Sequence, residues 1–208
     1  MMRRVLKFFL WGAATVIAAY VILVIARIPH AYDKQRTEEQ VAKIHATKLT
    51  LDDVMGKNLP PDPGIDADKT IQGIDANHNN IRDDVELAIF REYPNSARTR
   101  AVLLQYALAL QMEVVQTIVN TNTATEVVTE QGRSGICLTD TLVPRKSPES
   151  SRSDADMQKI DVFIHFIKNK QFNTDARKTA REDFLGEVKF LGDSTNEVCD
   201  IDPSVLPD

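Results

Sequence analysis

Cysteine is almost missing from this 208-residue chain, which has only Cys137 and Cys199. Two cysteines are too few for a disulfide-dense scaffold, and the absence of any CxxC or Cys/His spacing removes a zinc site. The pair reads as an intrachain disulfide Cys137–Cys199, with two buried free thiols as the alternative. Closing a loop of about 60 residues would stabilise a fold by ~4 kcal/mol in the chain-entropy picture. Histidine is sparse too. His30, His45, His78 and His165 include no pair at metal-binding spacing. Gly132-Arg-Ser134-Gly135 lacks the G-x-S-x-G spacing and the strand–turn–helix setting of a serine nucleophile. No repeat of 20–50 residues is visible, so a solenoid is excluded.

Charge is absent from residues 8–26, and acids are absent from residues 1–27. Nineteen apolar residues span about 28 Å as a helix, close to the hydrocarbon thickness of a bilayer. A cleaved signal peptide has a shorter apolar region, so residues 8–26 read as an uncleaved anchor, with Val24-Ile-Ala26 as the alternative cleavage site. No cysteine follows the run, which closes the lipoprotein route. Arg3, Arg4 and Lys7 precede it and outnumber Arg27 beyond it. The expectation is a single-pass inner-membrane protein with a cytoplasmic N-terminus and a periplasmic C-terminal domain. That exported part carries 21 Lys/Arg against 30 Asp/Glu, a net −9. Such acidity disfavours nucleic acid and anionic membrane surfaces as partners, and suits a divalent cation or a basic protein.

The densest chemistry lies in residues 75–86, Asp-Ala-Asn-His-Asn-Asn-Ile-Arg-Asp-Asp-Val-Glu. Asp75, Asn77 and Asn79 alternate, Asp83 and Glu86 stand at the ninth and twelfth places, and Ile81 offers its backbone carbonyl from the seventh. This is the register in which a twelve-residue loop wraps Ca²⁺. Every ligand would be a hard oxygen, which argues against zinc and copper. Asn80 sits where such loops need a left-handed residue. The acids at 83, 84 and 86 also suit the first turn of a helix. A polar turn leading into an acid-capped helix, with no ion, is the simpler alternative.

The pattern D-x-N-x-N-x-I-x-D-x-x-E resembles the calcium loops of bacterial thrombospondin type 3-like repeats, relatives of the EF-hand loop. A true EF-hand would have its aliphatic residue where Arg82 stands and a helix leading in, which the Pro-Pro-Asp-Pro-Gly run at 60–64 opposes. The wider string around Gly73-Ile-Asp and Ile81-Arg-Asp-Asp-Val-Glu86 resembles a group of uncharacterised exported, membrane-anchored proteins of proteobacteria. The resemblance covers about a fifth of the chain and implies calcium and export, with no activity.

Periodicity predicts an all-α architecture. Residues 1–30 form the transmembrane helix. Residues 31–64 form a juxtamembrane stalk and Pro-rich linker, with a helix from Thr37 to about 48 and a short one from Thr50 stopped by Gly56. Residues 65–208 form the helical exported domain. Its expected helices run from Asp83 to Tyr93, from Ala97 to about 120 as the central core helix, over 126–130 as a short helix ending before Gly132, around Met157 to Ile167, and after Asn173-Thr174. Residues 121–125 read as a polar turn, 144–154 as a mobile loop, and the tail from Gly192 as irregular. Arg177, Lys178, Arg181, Glu182 and Asp183 read as a solvated charged face or a partner-recognition patch.

These features suggest a non-enzymatic, membrane-anchored calcium-binding module with a protein partner in the periplasm, such as an envelope-complex subunit or a toxin-immunity protein. The rival is a calcium-dependent envelope hydrolase. It would bring His165, or the acids Asp62, Asp66 and Asp68, to the ion in a cleft.

Overall fold

One helix takes up the first fifth of the molecule. In the computed structural model, which describes residues 2–147, 149–190, 192 and 197–208 (the side chains of 4–6 and 9 excepted), α1 runs Met2–Ala46. Its most apolar 18-residue window has a mean hydropathy of 2.0 and buries nothing. α1 is therefore long and apolar enough to cross a membrane, a test that a signal sequence would also pass. The separate stalk helix expected to open at Thr37 does not form. α1 continues through Pro29, and Thr37 donates its hydroxyl to the Asp33 carbonyl instead of capping a new helix. The end of α1 joins the folded body: Ile44 is fully buried, and Gln40 donates to Gln116. The segment read as a stalk thus supplies Ile44, Leu49 and Val54 to the common core.

α2 (Leu51–Met55) opens on a Thr50–Asp53 capping box and stops at the left-handed Gly56. A side chain at 56 would strike the Phe90 ring, so glycine is required by contact as well as by backbone. α3 (Asp83–Glu92) starts at the expected residue. α4 (Ala97–Val115), capped by Ser96, is the central helix, with Leu103, Leu104 and Leu110 wholly buried. It packs against α2, α3 and the three helices that follow. Its buried polar residues hook irregular backbone onto the bundle. Arg100 donates to the Val54, Tyr93 and Pro94 carbonyls, Gln105 to Val198, and Gln111 to Gln72.

α5 (Thr121–Leu142) corrects the sequence expectation most. The predicted turn at 121–125 is its first turn, because Asn120 accepts from Asn122 and Thr123 while Thr123 accepts back from Asn120. That cap also ends α4 at Val115, short of the expected 120. Gly132 and Gly135 lie inside α5, not beyond its end. Burial of Ala124, Val127, Cys137 and Leu138 along α4 outweighs roughly 1 kcal/mol per glycine. α6 (Asp154–Gln171) and α7 (Asp175–Glu187) begin at Ser153 and Thr174 caps. Cys137 and Cys199 stand at disulfide-bonding distance, with Cα atoms 5.2 Å apart. Pro148 of the expected loop and residues 193–196 of the expected tail lie outside the described residues. No strand occurs among the described residues, and the fold is all-α.

Candidate functional site

Residues 75–82 form a closed loop that runs into the first turn of α3 at 83–86. The Asp83 amide donates to the Ile74 carbonyl at 2.9 Å and shuts its neck. Inside, the polar side chains satisfy the turning backbone. Asp75 accepts from the amides of Asn79 and Asn80 (3.1 and 2.9 Å), Asn79 from Ile81 (2.9 Å), and Asp83 from Ala76 (3.0 Å). Asn80 is left-handed (φ 65°), as its place in the loop predicts, and so is His78 (φ 60°), which the sequence did not flag. The Ile81 side chain is fully buried and fixes the backbone at the seventh place.

The loop is bolted down on two sides. Arg82, fully buried, donates to Asp84, to Gln171 O at 2.9 Å and to Lys170 O at 3.3 Å, placing a cation on the negative end of α6. Only a glycine at 73 leaves it room, because a Cβ there would come within 2.7 Å of the Arg82 chain. On the other side Asn77 donates its amide to Asn58 O and to Glu86 Oε2, both at 3.0 Å. Neither burial of Arg82 nor its partners left a signal in the sequence.

Two groupings of the expected ligand residues result, Asn77 and Asn79 with Glu86, and Asp75 near Asp83. Glu86 touches Asn77 and faces Asn79, whose Nδ2 is buried short of hydrogen-bond geometry. Asp83 lies close enough to Asp75 to feel its charge. Asp83 and Glu86 are withdrawn from water, at 0% and 1% exposure. Burial raises the Asp83 carboxyl above its usual range, and the charges of Asp75 and Asp84 add to this. Burial pushes Glu86 up to about 7, against the amides of Asn77 and Asn79. Neither forms an ion pair among the described residues, since the adjacent Arg82 is engaged with Asp84. No three His, Cys, Asp or Glu side chains form a ready metal cluster among the described residues. The loop interleaves its acids with amides instead. These side chains offer hard oxygens, the donor type a hard divalent cation takes, with one exception. Asn77 now turns its nitrogen toward Glu86, and its amide must rotate to offer oxygen.

The other sequence candidates lie elsewhere. Asp62 accepts from Gly64 N and Arg91, which hold it below its usual range; Asp66 pairs with Lys69; Asp68 pairs with Arg177 and Asn173. None reaches the loop as an outer ligand. His78 and His165 are exposed. Ser134 is buried and donates to Gln131 O in mid-helix, which is no setting for a nucleophile. On α7, Lys178, Glu182 and Asp183 are exposed as a solvated face requires, but Arg177 and Arg181 are not part of it. Arg177 is fully buried and donates to the carbonyls of Ala67, Thr70 and Ile71, while Arg181 pairs with the buried Glu113 at 2.8 Å. Two fully buried arginines, 82 and 177, fasten residues 64–82 to α6 and α7. No family model, curated protein or solved structure matches the chain.

Proposed function

We propose that this chain is a membrane-anchored, exported calcium-binding module that works by interaction and not by catalysis. The carrying observation is the pair Asp83 and Glu86, buried with no ion pair among the described residues, on a loop that sets Asn77 and Asn79 beside Glu86 and Asp75 near Asp83. Buried carboxylates are stable as anions only when paired or bound to metal. A cation held by Asp75, Asn77, Asn79, Asp83, Glu86 and the Ile81 carbonyl would supply the missing charge. Three carboxylates are few, so an affinity of roughly 10⁻⁴ to 10⁻³ M, that of extracellular modules, is expected. The basic residues ahead of the apolar segment favour a cytoplasmic N-terminus, which puts the loop in a calcium-accessible periplasm.

What the ion would do follows from its neighbours. Through Asp83 and the adjoining Arg82 it tightens the junction of the loop with α6. It acts as a staple that sets the helical surface offered to a protein partner. Calcium at about thirty times its Kd stabilises the full-length protein by ~2 kcal/mol, or about 4–8 °C in melting temperature. A melting curve unchanged at 10-fold higher calcium than the expected Kd would remove the proposal.

A further inference from the structure

A half-open pocket of about 590 Å³, within the ~300–1,000 Å³ range of small-molecule sites, lies between α5 and Ile164 of α6, with Tyr106 of α4 and the tail residues Gly192 and Val198 at its sides. Its walls include Ile136 and Ile164, and its floor is the pair Gly132 and Gly135 in the middle of α5. Neither glycine has a positive φ, and a Cβ at either would meet nothing within 4 Å. Backbone strain and close packing therefore do not require glycine here. Two glycines weaken a helix interior by roughly 1 kcal/mol each, and what they provide is a bare groove floor.

Charge at the cavity runs against that of the molecule. The chain beyond residue 27 carries a net −9, yet three arginines (133, 145 and 152) line the cavity, and no acid does among the described residues. Arg133 is engaged with Glu130 and Asp200, and Arg152 with Asp140. Arg145 is exposed and has no ion pair among the described residues. A mostly apolar chamber with one uncommitted cation at its rim has the chemistry of a site for a chain with an anionic end.

We propose that the α5–α6 cavity binds a single-chain anionic lipid, its acyl chain over Gly132 and Gly135 and its head at Arg145. This is independent of calcium. The probe is palmitate carrying a mid-chain photoactivatable diazirine, added to the full-length protein in phosphatidylcholine nanodiscs, with adducts mapped by mass spectrometry. Adducts are expected on residues lining the cavity and to saturate. Adducts on residues 8–26 report contact from the bilayer and do not saturate. Unlabelled palmitate or lysophosphatidylglycerol should displace the cavity adducts, and whichever acts at lower concentration identifies a free carboxylate or a phosphate head as the source. Methyl palmitate should compete roughly tenfold less well, the worth of one charge-assisted contact.

Gly135→Leu should abolish the cavity adducts and spare those on 8–26. Gly132→Ala should leave the melting temperature equal or higher, which shows that the position tolerates a side chain. Arg145→Ala should weaken labelling roughly tenfold. Adducts confined to 8–26, cavity labelling unchanged in Gly135→Leu, or equal competition by the methyl ester would each overturn the assignment.

Discussion

Two irregular segments are fastened to this helix bundle, and they differ in how their buried charges are met. The C-terminal tail carries Asp200, its side chain 1% exposed. Arg133 donates to Asp200 and to Glu130 at 2.6 Å each, Lys48 stands 3.5 Å from both acids, and Leu49 N donates to Asp200. His45 lies 3.3 Å from Glu130. The tail meets its charges with protein groups and adds a covalent link at Cys199. The loop at 75–86 buries two carboxylates as deeply, but its nearest arginine is turned away to Asp84 and α6. Among the described residues, the acids of the tail meet cationic partners, while Asp83 and Glu86 form no ion pair. The same physical requirement, that buried charge be paired, is met by protein groups in the tail and, under the proposed function, would be met by a cation in the loop.

Substitutions can test this contrast. The largest effect belongs to Arg133→Met, which leaves Glu130 and Asp200 buried without their main partner. A loss of about 3–5 kcal/mol in denaturant-unfolding stability is expected. Next is removal of the bridge: the double variant Cys137→Ala, Cys199→Ala should cost about 2–4 kcal/mol, since residues 62 apart in sequence are no longer tied. Glu86→Gln should have the opposite sign to Arg133→Met. In calcium-free buffer at pH 8 it removes an unpaired buried charge, so stability should hold or rise, by up to ~2 kcal/mol, while the calcium-induced rise in melting temperature disappears. A loss of several kcal/mol in that variant without calcium would mean that Glu86 already has a cationic partner.

The smallest effect is the dependence on pH. A carboxyl whose pKa is raised on folding holds its proton more tightly in the folded chain. Its stabilising contribution is present below the ordinary carboxylate range and is lost as pH rises toward about 7 for Glu86, with Asp83 acting in the same direction. In calcium-free buffer the melting temperature should therefore fall between about pH 5 and 7.5. The increment produced by calcium should grow over the same interval, as protons cease to compete for the carboxylates. The tail's network offers no such calcium-dependent term.

Features set by local chemistry were legible in the sequence. The apolar run, the caps at Ser96 and Thr174, the stop at Gly56, the left-handed Asn80 and the start of α3 at Asp83 each depend on a few neighbouring residues. The cysteine pair was legible because there were only two. Features set by distant packing were not. Gly132 and Gly135 read as a helix end until the burial of α5 against α4 is known. Arg177 reads as one charge among several on a polar helix, and only the carbonyls of Ala67, Thr70 and Ile71 explain its burial. The new helix expected at Thr37 did not form because its hydroxyl bonds back to the Asp33 carbonyl within one continuous α1. In the loop, the residue spacing was readable; the solvent exclusion of Asp83 and Glu86 was not.

Isothermal titration calorimetry of Ca²⁺ into the full-length protein, alongside the Glu86→Gln variant, tests the central claim most directly. The expected result is a single site per chain with a Kd of about 10⁻⁴ to 10⁻³ M, lost in the variant while its helical content is unchanged. No heat above the blank at millimolar calcium, or the same isotherm from both proteins, would contradict it.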